Sequence, residues 1–401
     1  MSDASRRVAF VPARYGPEIV GGAEIVLAHM ARGLLERGWE AEILTTCALN
    51  HHTWENELPA GVGDDNGLLV RRFPVDNRVS PTRGELEARV MAGHRLTYAE
   101  QSEWMNGGMR SPELYHYILD HAQDYRAMVF APYPFWVTFA CSQIDPSRSV
   151  LMSCLHDEPY VYLDLFTPML SGVAGLLMLS EPEHDLGHKV NASLAPHRVT
   201  GCGVEIPASY QPEEFTARYG ITRPYLFYAG RREGAKGWED LLDAFDDAVR
   251  RRPDLPFALV TCGGGEVNPP EGIADRVIDV GFLSESERDS AYAGAAAYVQ
   301  PSRYESFSRT IMEAWLAGVP VIANGGSSVV AWHCERSGAG LLYNDPLEFE
   351  QCLAALADAP QAMRELAAKG RAYVLEHYQW DTVLDAVEEC LNEWTSAQEE
   401  L

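Results

Sequence analysis

At 401 residues the chain is longer than one hydrophobic core supports, and with 46% hydrophobic residues it can fill two. Acidic residues number 58 against 32 basic ones, a formal charge of −26 that argues against nucleic acid or an anionic membrane as a general partner. An anionic ligand therefore needs a locally basic pocket. Eight cysteines lie in apolar runs without metal-ligand spacing, as expected of reduced thiols in a cytoplasmic protein. The short run VAFV after MSDASRR is too brief for a signal sequence, and no apolar run approaches a membrane span.

In chain order, Val8 to Val11 is a first buried strand. The stretch YGPEIVGGAEIVLAHMARGLLERG follows as a loop and an amphipathic helix through Leu27, Met30, Leu34 and Leu35. Gly21 and Gly22 either only make the turn or let a phosphate or sugar approach the backbone at the helix start. Glu24 reads as a helix-start residue. Glu42 to Thr46 and Leu68 to Phe73 are further strands, separated by a long polar loop with His51, His52 and Trp54. Asp76 to Pro112 is irregular and reads as an insertion, in which Trp104 and Arg110 either line a sugar or aglycone site or merely pack.

Met128 to Ala131, Ser149 to Leu155 and Gly175 to Leu179 alternate with helical stretches, the pattern of a doubly wound parallel sheet. Ligands of such sheets collect at the carboxyl ends of strands, where LMSCLHDEP puts His156. That histidine either meets a sugar hydroxyl, accepts a proton, or is a satisfied structural residue. The stretch from Val199 through VEIPASYQPEEFTARYGITRP reads as a connection between domains.

A second βα series has strands at Tyr225 to Ala229, Phe257 to Cys262, Val277 to Val280, Tyr298 to Gln300, Val319 to Ile322 and Gly340 to Leu342. GRREGAKGWEDLL follows the first of these. Lysine occurs only at positions 189, 236 and 369, so Lys236 at a strand-to-helix turn reads as a compact ammonium that, with Arg231, clamps a diphosphate. The run GGGEVNPP is either a plain turn or a close backbone approach to a nucleotide.

From Ala297 to Gly318 the pattern is strand, loop, helix, with Ser306 or Ser308 expected to cap the apolar stripe Ile311, Met312, Trp315 and Leu316. The helix start makes ESFS a seat for an anion or a polar sugar. Glu305 and Glu313 flank it, roughly 7 to 10 Å apart by helical rise. Glutamates in first helical turns are also common as surface residues that complement the dipole. Arg309 either adds charge at a phosphate or faces solvent, and the tail from Gln361 to Glu399 is helical.

The GR…KG motif followed by Glu, seven residues, Glu resembles the retaining GT-B glycosyltransferases of the family 4 type. A bacterial subset shares TTCA…TW, HDEP and EAW as well. The resemblance implies an α/β chain of two Rossmann-like doubly wound domains facing a cleft. Residues 1–205 would form the acceptor side and 206–378 the donor side, with 379–401 a helix crossing back to the first domain. It implies that Arg231 and Lys236 hold the donor diphosphate, which Gly21 and Gly22 face, and that Glu313 holds the ribose. Glu305, with the backbone at Ser306, Phe307 and Ser308, would engage the transferred sugar, and His156 would touch it. Ser306 and Ser308 stand where many relatives carry glycine, which leaves the donor sugar open. The nucleobase would sit near the Gly281–Phe282 turn, with UDP, GDP and dTDP all open.

The activity so implied is retaining transfer of a hexose or deoxyhexose from a nucleoside diphosphate sugar to a hydroxyl of a glycan, lipid-linked or small-molecule acceptor. No Asp-x-Asp site stands out, so metal independence is expected, with no cofactor beyond the donor. One rival is a nucleotide-sugar epimerase of the same shape, which would not require the paired glutamates. The other is a non-catalytic nucleotide-sugar-binding protein, against which Arg231, Lys236, Glu305 and Glu313 speak.

Overall fold

The computed structural model describes residues 6–16, 19 and 21–395. The chain divides into two compact units, one running to Cys202 and resuming at Asp381, the other spanning Gly203–Trp380.

The N-terminal unit is built on β1 (Arg7–Pro12), β2 (Glu40–Thr46), β3 (Gly61–Asp65), β4 (Leu68–Phe73), β5 (Ala127–Ala131), β6 (Ser149–Met152), β7 (Gly175–Met178) and β8 (His197–Val199). Their order is β3-β4-β2-β1-β5-β6-β7-β8. All neighbours are parallel except β3 and β4. Central strands such as β1 are continuous apolar runs because helices cover both faces of a parallel sheet.

Four sequence expectations change here. The long polar loop contains β3, which pairs with β4 through Asn66 and Gly67, both at positive φ (52° and 87°) as a tight two-residue hairpin requires. Val199 closes β8 instead of opening a linker, and the supposed linker holds a helix, Pro212–Arg218, whose Phe215 is buried. β6 stops at Met152, before Cys154 turns left-handed at φ 55°. The irregular insertion holds helices Arg83–Met91 and Tyr98–Asn106, with Trp104 buried against Tyr160 and Arg110 paired to Asp76 at 3.0 Å. Both of those residues pack.

The helix Trp380–Thr395 buries Val383, Leu384, Val387, Cys390 and Leu391, and belongs with the N-terminal unit from Asp381 onward. Arg37 meets Asp385 at 2.6 Å and Trp39 donates to Glu388 at 3.0 Å, but such rim contacts add little beside the apolar stripe. Residues 396–399 of the expected helical tail lie outside the described residues.

The second unit carries β9 (Tyr225–Ala229), β10 (Ala258–Cys262), β11 (Val277–Gly281), β12 (Ala297–Gln300), β13 (Val321–Asn324) and β14 (Gly340–Tyr343). They are all parallel, in the order β11-β10-β9-β12-β13-β14. The chain lays down β9, β10 and β11 in one direction, then returns to place β12 on the other side of β9. Loops leaving β9 and β12 therefore part in opposite directions and open a crevice at the strands' carboxyl ends. This switch point positions the site.

All eight cysteines are buried. Among the described residues no helix is long and apolar enough to cross a membrane.

Candidate functional site

The loop after β9 reaches the loop after β12 at Gly237, which adopts φ 71°. A Cβ there would lie 2.5 Å from the Pro301 carbonyl oxygen, so only glycine permits the approach. The residue before it, Lys236, places Nζ 2.9 Å from Glu305 Oε1. The Lys236 side chain is 28% exposed and that of Glu305 13%. Gln300, the last residue of β12, also approaches Glu305 Oε1, at 3.4 Å from Nε2.

Ser308 stands at the N-cap position of helix Arg309–Leu316, but it does not cap. Its backbone is left-handed (φ 68°, ψ 73°), and its hydroxyl accepts from Gln300 Nε2 at 2.6 Å. The expected Ser cap is thus replaced by a tether from the strand end, held in a backbone conformation costly for a non-glycine residue. Phe307 is buried edge-on against His333 and Tyr378, at 5.1 and 4.9 Å between centroids. Its side chain is an anchor, and only its backbone is available to a ligand. His333 is itself buried, which drives its pKa down to about 3 and keeps it neutral beside the Tyr373 hydroxyl at 3.0 Å. Ser306 remains partly exposed between these anchored neighbours.

Glu313 lies one turn further on. It accepts a hydrogen bond from Tyr292 at 3.1 Å, while Arg288 and Arg309 sit at 3.6 and 3.7 Å, close enough to balance charge but beyond good hydrogen-bond length. Arg309 therefore turns along its own helix to Glu313, neither facing solvent nor standing apart. The Glu313 charge holds the Arg288 guanidinium above its ordinary range, and burial pushes the neighbouring Asp289 carboxyl up to about 6.

The two arginines of GRREG part company. Arg231 is 45% exposed and pairs with Glu233 at 3.2 Å. Arg232 is buried and donates to Thr261 (3.2 Å), to the Gly265 carbonyl (2.8 Å) and to Asp279. Sequence reasoning missed this structural role, since nothing local distinguishes adjacent arginines. The glycine run after β10 backs the same loop, with Arg232 N–H donating to Gly264 at 2.8 Å, so it acts as packing for the β9 loop. Phe282 projects beside it, 73% exposed.

In the N-terminal unit, Gly21 precedes helix Gly22–Glu36 and Gly22 has open space where a Cβ would be. Glu24 is buried, ion-paired to Arg14 at 2.6 Å, and its carboxylate fills the space beside Gly21. It does stand in the first helical turn, as the sequence suggests, but buried and paired with Arg14. His156 follows β6, with Nδ1 3.6 Å from Glu158, which also accepts from Tyr133 at 3.1 Å. The loop is fixed from below by Glu183, fully buried, which accepts from the Ser153 hydroxyl (2.9 Å), Leu155 N–H (2.8 Å) and Leu179 N–H (2.6 Å). Burial pushes that carboxyl up against these bonds. Glu183 escaped the sequence reading, although SEPE has the Ser-x-x-Glu spacing of a helix start and Ser180 does accept from Glu183 N–H.

Comparison with known proteins supplies independent findings. Residues 223–359 match the family described as Glycosyl transferases group 1. The D-inositol 3-phosphate glycosyltransferase of Streptomyces scabiei is 28% identical over 403 residues, covering 92% of this chain and 85% of that protein. The alpha-D-kanosaminyltransferase of Streptomyces kanamyceticus is 32% identical over 119 residues, 28% of this chain and 30% of its own. Among solved structures, sucrose-phosphate synthase from Thermosynechococcus elongatus has a TM-score of 0.73 at 17% identity, covering 98% of this chain and all of that one. Anabaena HepE in complex with UDP and glucose has a TM-score of 0.69 at 16% identity, covering 97% and 100%. The fold they share is GT-B.

Proposed function

We propose that this chain of GT-B fold is a group 1 glycosyltransferase, and that it moves a hexose or deoxyhexose from a nucleoside diphosphate sugar to an acceptor hydroxyl, with retention and without a metal. The observation that carries this reading is the Lys236–Glu305 pair at the strand switch point, 2.9 Å apart. A diphosphate entering there competes with Glu305 for the ammonium. Lys236 then neutralises the leaving group with help from Arg231, and Glu305 is released toward the positive charge that grows at the anomeric carbon.

Glu313 suits the ribose, because its two arginines stand too far off to consume the lone pairs that Tyr292 leaves. The backbone at Ser306, Phe307 and Ser308 supplies amides at a helix start. In the N-terminal unit Gly21 and Gly22 are assigned to the diphosphate and His156 to the sugar. HepE, solved with UDP and glucose, makes uridine diphosphate sugars the first donors to try, and the inositol phosphate relative makes a polyol the first acceptor.

The test is a panel of UDP, GDP and dTDP hexoses with polyol, glycan and lipid-linked acceptors in EDTA, read by nuclear magnetic resonance of the product. Transfer with retained anomeric configuration is expected. Abolition by chelation that Mg²⁺ or Mn²⁺ restores would overturn the metal-free route, and a rearranged donor without glycoside would establish the epimerase instead.

A further inference from the structure

Helix Glu181–Val190 and β8 bring three histidines together in the N-terminal unit. His184 and His188 are four residues apart and so share a helix face, while His197 opens the edge strand β8. One ring nitrogen from each lies within 4.8 Å of the other two, and the ring centroids are 4.6, 5.1 and 5.1 Å apart. His184 Nδ1 is 3.2 Å from Asp185 Oδ1, and His197 Nδ1 is 2.9 Å from the Ala195 carbonyl oxygen. An acceptor at Nδ1 holds the proton there and leaves the Nε2 lone pair outward, as outer partners do for metal-binding imidazoles.

We propose that His184, His188 and His197 bind one divalent first-row transition ion of the zinc class, with water in the fourth position. Three neutral nitrogen donors suit zinc, cobalt, nickel or copper, and are poor ligands for calcium or magnesium. Nitrogens on a tetrahedral zinc stand about 3.3 Å apart, given bonds of about 2.0 Å. Closing from 4.8 Å asks for small side-chain rotations of rings that are at least partly exposed. The ion would tie the helix to the sheet edge. That same helix carries Glu183, whose carboxyl holds the His156 loop, so occupancy braces the loop through the helix. None of the three histidines is among the residues assigned to the transfer chemistry.

The experiment strips the full-length protein with chelator, then titrates it with Zn²⁺ by calorimetry and with Co²⁺ by visible absorption. One equivalent should bind, Co²⁺ should give four-coordinate d–d bands, and Zn²⁺ should raise the thermal midpoint. His184→Ala, His188→Ala and His197→Ala should each weaken binding at least about 10-fold and erase the zinc-dependent shift, with metal-free melting unchanged. The paired substitution His51→Ala with His52→Ala, at the other adjacent histidine rings, should leave binding intact. A wild-type protein that takes up no ion, binding that survives each single substitution, or binding lost in the His51/His52 variant would overturn the proposal.

Discussion

The carboxyl ends of the two sheets are held in opposite ways. In the second unit the loops after β9 and β12 meet through charge, Lys236 on Glu305, and the helix that follows carries Glu313 between two arginines. In the N-terminal unit the loop after β6 hangs on neutral donors converging on one buried carboxyl, Glu183. Ion pairs at a partly exposed crevice contribute little stability and can be exchanged for a charged ligand. Buried hydrogen bonds to a single acceptor are costly to leave unmade and fix a loop permanently. On the proposed function, one end serves exchange and the other rigidity.

The largest effect should come from the rigid end. Glu183→Ala strands three buried donors at about 1 to 3 kcal/mol each, so denaturant unfolding should show a loss of at least about 3 kcal/mol. A near-neutral result would mean that the loop holds itself. At the exchangeable end, Glu305→Gln should lower turnover about 100-fold while leaving nucleoside diphosphate affinity intact or tighter, because Lys236 is released. Weaker nucleotide binding with intact turnover would reverse the roles assigned to the pair.

Lys236→Ala should weaken calorimetric nucleoside diphosphate affinity by about 1.5 to 3 kcal/mol, with Arg231→Ala toward the lower end because that side chain is more exposed. Unchanged affinity in both would remove the diphosphate from this loop. Glu313→Gln should cost roughly tenfold in binding of donor and free nucleoside diphosphate alike, and an effect on donor alone would move Glu313 to the sugar.

The smallest effect concerns Asp289. Its folded value, raised by burial to about 6, exceeds the ordinary carboxylate range, so the folded state keeps the proton that the unfolded chain gives up. This contribution is present at low pH and lost as pH rises toward about 6. Asp289→Asn should therefore be more stable at neutral pH, by less than about 1 kcal/mol since the site is half open to screening, with a flatter profile across that window. Equal slopes for the two proteins would exclude Asp289 as the source.

The sequence by itself determined the alternation of strands and helices and the motif-bearing loops GRREGAKG and ESFS, because period, turn chemistry and glycine placement act over a few residues. It also carried signals that went unread, namely the Asn66–Gly67 hairpin, the Ser180 to Glu183 spacing and the His184 to His188 repeat. Which partner each group meets was decided only in the tertiary structure. Lys236 and Glu305 are 69 residues apart and pair because β12 returns to the side of β9 that β10 leaves open. Glu183 reaches Leu155, and His197 reaches His184, through the parallel order of β6, β7 and β8. Local pattern sets each element, but strand order chooses its neighbours, and that choice rests on burying all the apolar faces together.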